Sequence, residues 1–402
     1  MPITLAMAWL ALGVSVAQAQ GGAASDAARS GQASPSSATS APTPAATSAP
    51  ASATVPSSGA SAQVAASVPS GPPPRRWMNG PRVFGRITAK DLGVVINQDD
   101  PYSVQVGEHY VRARQILPEH VLRVNLPVKG TLNQAEFEAL RRQVDTFFGD
   151  KVQGLALVWR LPYAVDCQSL TGALTLGFDP QLCNNTCGAG RTSRYFGAAT
   201  SRPFKDLGLR PSMMLAARDA DSAKALIDRG VRADHTLGLR GGLPANVHYV
   251  ITSDSVRSVR QALYPPEGKV PRLGIDVSID ETEALRGADR VLLYMTGRTH
   301  VDALDTVQFL PGALADHLTS FGGMLDKPHG QMTVMAWIQA GATATYGTVS
   351  EPCAHLQKFP HPQALLMFYV QGASALEAYW KSVAWPQQGL FVGEPLSAPF
   401  AR

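Results

Sequence analysis

The chain has 402 residues, 45% of them apolar, with 35 basic and 31 acidic side chains and a net charge of +4. That slight excess is scattered (Arg141–Arg142, Arg191, Arg194, Arg257, Arg260) rather than massed, which excludes a basic nucleic-acid-binding face. No stretch beyond the N-terminus is long and apolar enough to span a bilayer.

Ile3 to Ala17 is apolar and uncharged, and Ala17-Gln18-Ala19 fits a small-x-small cleavage pattern. Residues 1–19 therefore read as an export signal, although no Lys or Arg precedes the apolar run. The run is shorter than the roughly 20 residues of a spanning helix, which disfavours an anchor. From Gln20 to Pro74 nearly every residue is Ala, Ser, Pro, Thr, Gly or Gln. Such a segment buries too little apolar surface to offset the entropy of ordering, so 20–74 is expected to be a disordered linker. Residues 75–402 are expected to form a single α/β domain.

Asp91 to Asn97 reads as a buried strand, and Val104, Gly107, Tyr110, Val111 and Arg114 follow at helical spacing. His120 to Leu126 is a second strand. Asn133 to Phe148 is a helix, capped by Asn133 with Glu136 at its third position. Leu155 to Trp159 is a third strand. Strands alternating with helices imply right-handed crossovers and a mostly parallel sheet. The excursion 163–211 then breaks the rhythm and is expected near the functional face. Strands resume at Ser212 to Ala217, with a helix from Asp219 to Arg229 capped by Gly230, then at His248 to Thr252, Ile275 to Ile279, Val291 to Met295 and Leu314 to Phe321. A helix-like run, Met332 to Ala340, leads into Gly341 to Cys353, the stretch that reads as the central buried strand. Helices His361 to Val370 and Ser374 to Val383 and a closing strand, Leu390 to Val392, complete the chain.

Three of the four cysteines, Cys167, Cys183 and Cys187, share the excursion. In an exported protein this predicts a structural disulfide among them, with Cys353 as the candidate free thiol. No His stands near the three cysteines, no HExxH is present and no glycine-rich loop follows a strand, so neither metal nor nucleotide cofactor is expected.

Phe309 to Gly323, Gln331 to Trp337, Gly341 to Cys353, Glu377 to Trp385 and Gly393 to Phe400 resemble an uncharacterised secreted family of bacteria carrying exosortase and PEP-CTERM sorting signals. The likeness runs from Asp91 to Phe400 and implies an exported protein, periplasmic or extracellular, without lending an activity. Strand order and the closing Gly393-Glu394-Pro395-Leu396 also resemble the gingipain branch of caspase-like cysteine peptidases. That likeness implies a three-layer α/β sandwich with a mostly parallel sheet in a caspase-like arrangement. It also implies Gly-His-Gly after one strand and a nucleophilic Cys after the next. Here Tyr294 to His300 keeps Gly297, has Arg298 in place of the His and brings His300 two residues late, and His317 to Ser320 holds no Cys. The dyad does not carry over residue by residue.

Polar groups gather after each expected strand. In a parallel sheet they share an edge, where α/β folds hold ligands. His300, His317, Glu351, Cys353 and Glu394 are accordingly expected to line one cleft. The binding candidates are Asn97, Asp99, Arg160, Glu351 and Glu394. The catalytic candidates are Cys353 with His355, Ser320 with His317, and His300. Against them stand blander roles: a buried Cys acting as a small hydrophobe and histidines satisfying loop backbone. The missing dyad favours a binding or accessory protein for exported or surface proteins on a degenerate peptidase-like scaffold. The alternative is a cysteine or serine hydrolase using Cys353 or Ser320 with a nearby His. Oligomeric state is not legible.

Overall fold

Alternation along the first strand shows how the layers are built. β1 (Leu92–Asn97) is buried along its whole length, so side chains on both of its faces need cover. Gly93 faces Phe148 of α2 (Gln134–Phe148), whereas Ile96, on the other face, fills the space beside Gly107 of α1 (Pro101–Arg114). Helices therefore lie on both sides, and the fold is a three-layer α/β sandwich. This computed structural model describes residues 74–326 and 329–402, which belong to the compact unit Ser70–Arg402. The expected export signal, and the expected linker up to residue 73, lie outside the described residues.

The remaining strands are β2 (Val121–Val124), β3 (Thr131–Leu132), β4 (Gly154–Val158), β5 (Ala164–Val165), β6 (Gln168–Ser169), β7 (Ser212–Met214), β8 (Ala245–Ile251), β9 (Gly268–Val270), β10 (Ile275–Glu281), β11 (Val291–Gly297), β12 (Phe309–Leu318), β13 (Ala344–Thr348) and β14 (Gly389–Gly393). Eleven of the strands form one sheet in the order β2-β1-β4-β7-β14-β13-β12-β11-β8-β10-β9, and β3-β5-β6 form a second. The large sheet has two parallel blocks. One is β2-β1-β4-β7, and the other is β13-β12-β11-β8-β10. The seam between them is β14, antiparallel to β13 over five pairs and joined to β7 through Val392↔Met214 alone.

Most helices begin where the chemistry of their first turn dictates. Asn133 and Glu136 make the reciprocal capping box of α2, and Ser374 and Glu377 repeat it at α9 (Ala375–Trp380). Asp100 and Asp219 cap α1 and α6 (Ala220–Ala233). Gly230, expected as the end of α6, lies inside it, because a Cβ there would collide with the Glu394 side chain. The excursion 163–211 is not a bare loop. Besides β5 and β6 it carries α3 (Leu170–Leu176), α4 (Pro180–Asn184) and α5 (Pro203–Leu207). The helices α7 (Met335–Ala340) and α8 (Pro362–Val370) complete the set. No described helix is long and apolar enough to cross a membrane.

Candidate functional site

Two sheet ends collect the residues singled out by sequence. At the first, β11, β12 and β13 end at Gly297, Leu318 and Thr348, and the following loops carry His300, Ser320, Glu351, Cys353 and His355. Gly297 is fixed by packing, since a Cβ there would fall onto the backbone of Arg257.

His317 lies within β12 and is 1% exposed. Its Nδ1 accepts a hydrogen bond from Trp337 Nε1 at 2.9 Å, which makes it the unprotonated nitrogen. Its Nε2–H then donates to the Met332 carbonyl at 3.0 Å. Burial holds the imidazole down to about 4, with the charges of Arg260 and the nearby His300 adding to the effect. A ring so occupied cannot take a proton from Ser320. Among the described residues no hydrogen bond joins Ser320 to any histidine, and its carbonyl accepts from Thr348 Oγ1. On the other face of β12, Asp316 pairs with Arg260 at 2.6 Å, both 1% exposed. Burial pushes the Asp316 carboxyl up, and Arg260 opposes that.

Cys353 corrects the expectation of a free thiol: it is bonded to Cys187, and Cys167 is bonded to Cys183. The sequence reading placed a bridge within the excursion, and Cys167–Cys183 is one. It did not foresee that Cys187 would reach a partner 166 residues away. No thiolate exists at Cys353, so it is not a nucleophile in this state. Further bonds sew the same loops together. Ser350 Oγ donates to the Cys167 carbonyl at 2.7 Å, His355 Nε2 to the Cys187 carbonyl at 2.9 Å, and Lys358 Nζ to the Thr186 carbonyl. His355 is thereby a loop clamp rather than a base for Cys353. Glu351 accepts from the Cys353 backbone N–H at 2.7 Å. Burial pushes the Lys358 ammonium down to about 8, partly offset by Glu351. Cys353 and Ala354 both hold positive φ, 56° and 54°, a conformation that non-glycine residues keep only where their surroundings impose it.

Glu394 breaks the expectation of a single cleft. Because β14 runs antiparallel to β13, Gly393 lies opposite Ala344, at the start of β13, while Cys353 follows its end. Glu394 is fully buried. It accepts from Tyr110 Oη at 2.9 Å, from Arg114 Nε at 3.0 Å and again from Arg114 Nη2, and Arg114 also pairs with Asp234. It is the anion that fixes α1 and α6 to the seam.

The second sheet end is the crevice outside β1, β4 and β7. Its cavity of about 380 Å³ is lined by Tyr102, Val128, Leu161, Arg160 and Arg218, with Asp100 and Asp219 at its walls. The connections leaving the adjacent strands β1 and β4 diverge, one to β2 and the other across to β7, and such a reversal opens a crevice. Both aspartates are already committed to capping, to Tyr102 N and Ser222 N. Arg160 Nη1 donates to the Arg218 carbonyl at 2.7 Å, and the rest of its guanidinium is exposed. Tyr102, threaded under the rim, accepts from Ala217 N at 2.8 Å. Of the binding candidates only Arg160 lines this crevice. Asn97 is fully buried, its amide donating to the Leu126 carbonyl and accepting from Leu126 N, and Asp99 accepts from Asn125 outside the lining. Arg218 directly follows the strand expected at Ser212 to Ala217, whereas nothing in the sequence pointed to the Tyr102 and Leu161 walls.

No family model matches the chain, and no curated protein matches it. The resemblance to the exosortase-associated family therefore has no support from these comparisons. Among solved structures, the Arg-specific cysteine proteinase gingipain R (RGPB) overlaps 78% of this chain and 80% of its own, at 9% identity and a TM-score of 0.38. A structure described as a protease overlaps 78% and 79% at 10% identity and a TM-score of 0.41. The complex of the pro- and mature domains of Porphyromonas gingivalis RgpB overlaps 77% and 79% at 10% identity and a TM-score of 0.34. Overlap this loose transfers no function.

Proposed function

We propose that the chain is a non-catalytic binding protein, exported and acting as an accessory to exported or surface proteins, with its ligand held in the crevice at the ends of β1, β4 and β7. One observation carries this reading. Among the described residues, the sheet end that holds every catalytic candidate has no nucleophile–base pair, because Cys353 is in a disulfide, both ring nitrogens of His317 are occupied and no hydrogen bond joins Ser320 to a histidine. The crevice, in contrast, has the size of a small-ligand site, with apolar walls and two guanidiniums suited to a carboxylate or phosphate. The two disulfides support an oxidising compartment. The test is labelling with a fluorophosphonate and with iodoacetamide, before and after mild reduction, alongside a peptide-hydrolysis assay. No serine label, no thiol label before reduction and no hydrolysis in either state are expected. Labelling of Ser320, or reduction-dependent hydrolysis that disappears in Cys353→Ser, overturns the reading.

A further inference from the structure

The turns that enter β8, β10 and β11 have no part in either sheet end described above. Segment 235–244 ends in a tip, Leu239-Arg240-Gly241-Gly242-Leu243, with Gly241 at φ 75°. Leu239 is 54% exposed and Leu243 71%. Isolated exposed leucines are ordinary. These two, however, flank one arginine at a turn whose backbone is pinned from both sides. Arg290 donates to the Leu243 and Pro244 carbonyls, each at 3.0 Å, and Arg402 donates to those of Leu237 and Gly238 at 3.0 and 2.7 Å. Ala245 N bonds the Gly274 carbonyl at 2.9 Å, which brings the turn carrying Arg272 alongside. Segments 235–244, 271–274 and 286–290 together hold Arg240, Arg272, Arg286 and Arg290 against one acid, Asp289.

We infer that this end of the molecule docks on an anionic lipid surface, the two leucines entering the headgroup layer and the arginines meeting phosphate. An apolar tip within a cationic rim is the pattern that combines apolar burial with attraction to negative headgroups. Pinning by Arg290 and Arg402 holds the tip in place before contact, so little ordering is needed on docking.

The experiment is co-sedimentation of the full chain with phosphatidylcholine vesicles, with and without phosphatidylglycerol, so that the N-terminal contribution is common to all variants. Binding is expected only with phosphatidylglycerol and is expected to weaken with salt. Leu239→Ser/Leu243→Ser should reduce partitioning about tenfold or more. Arg240→Gln should reduce it about fivefold. All three positions are on the surface, so thermal melting should confirm unchanged folding. Absence of binding at low salt, or binding indifferent to the leucine substitutions, overturns the inference. So does self-association in solution that the leucine variant abolishes, because a second copy of the chain would then be the occupant.

Discussion

At the ends of β11, β12 and β13 the side chains of His317, Glu351, Cys353 and His355 are bonded to the protein itself, while at the ends of β1, β4 and β7 two arginines stand around open space. The first region is closed by the excursion 163–211, which reaches it through the Cys187–Cys353 bridge and three hydrogen bonds to carbonyls at Cys167, Thr186 and Cys187. The second is left open because the chain diverges on leaving β1 and β4. A cluster of His, Cys, Ser and Glu is thus no better a guide to function than its bonding state. Where histidine, glutamate and cysteine are bonded to neighbouring loops, the cluster holds those loops together. Where guanidiniums have spare donors, it can bind.

The largest expected effect tests the seam between the two regions. Glu394→Ala would leave the Arg114 guanidinium, 8% exposed, with Asp234 alone. It would also open a void beneath Gly230. Removing one partner of a buried pair costs ~3–5 kcal/mol, and urea denaturation should register it. A loss below ~1 kcal/mol would mean that Glu394 is not the structural anion described above.

Next comes the lock on the first region. Cys187→Ser is expected to cost ~2–4 kcal/mol, because the bridge closes a long loop. It should also make 350–358 accessible to limited proteolysis, since Cys353 and Ala354 would lose what holds their positive φ. If the variant stays protease-resistant there, the hydrogen bonds from Ser350, His355 and Lys358 suffice, and the bridge is incidental to the closure.

His317 gives a smaller, pH-dependent effect. Burial depresses its folded value to about 4, against ~6.5 unfolded. The folded form binds the proton more weakly, so the contribution is fully present above pH ~6.5 and is lost as pH falls toward ~4. His317→Gln should flatten the fall in stability over that window. An unchanged slope would mean that His317 takes up its proton at the same pH folded as unfolded, so its ring would not be locked by Trp337 and Met332 as described, which would reopen the case for a His317 base beside Ser320.

Much of this contrast was legible beforehand in its local parts. The capping box at Asn133 and Glu136, the strand at Leu92–Asn97 and the central strand at Ala344–Thr348 are written in neighbouring residues, where periodicity and first-turn chemistry act. What was hidden depends on partners distant in sequence. Nothing near Cys353 signals Cys187. Nothing near Glu394 signals that β14 turns back beside β13 and delivers the carboxylate to Arg114. Gly230 looked like a helix end because its reason, the Glu394 side chain, is 164 residues away. Arg160 was found because the end of a strand is a local feature. Arg218, directly after the expected strand ending at Ala217, is legible in the same way, but the Tyr102 wall comes from α1, which leaves another strand.

The smallest expected change in stability accompanies the most informative change in binding. Arg160 is exposed, and its one protein bond runs to a backbone carbonyl. Arg160→Ala should therefore move stability by no more than ~0.5 kcal/mol. If the crevice binds a carboxylate or phosphate group, the same substitution removes a charge-assisted hydrogen bond worth ~1.5–3 kcal/mol, about a ten- to hundredfold loss of affinity. Lys at this position keeps the charge but not the planar fork, so Arg160→Lys should fall between Ala and the native residue. A screen of small carboxylates and phosphates by thermal shift, followed by calorimetry on any ligand found, measures both sides. Equal affinity in all three forms would take the ligand out of this crevice. A large loss of stability in Arg160→Ala would instead make Arg160 another internal clamp, and the contrast between the two sheet ends would collapse.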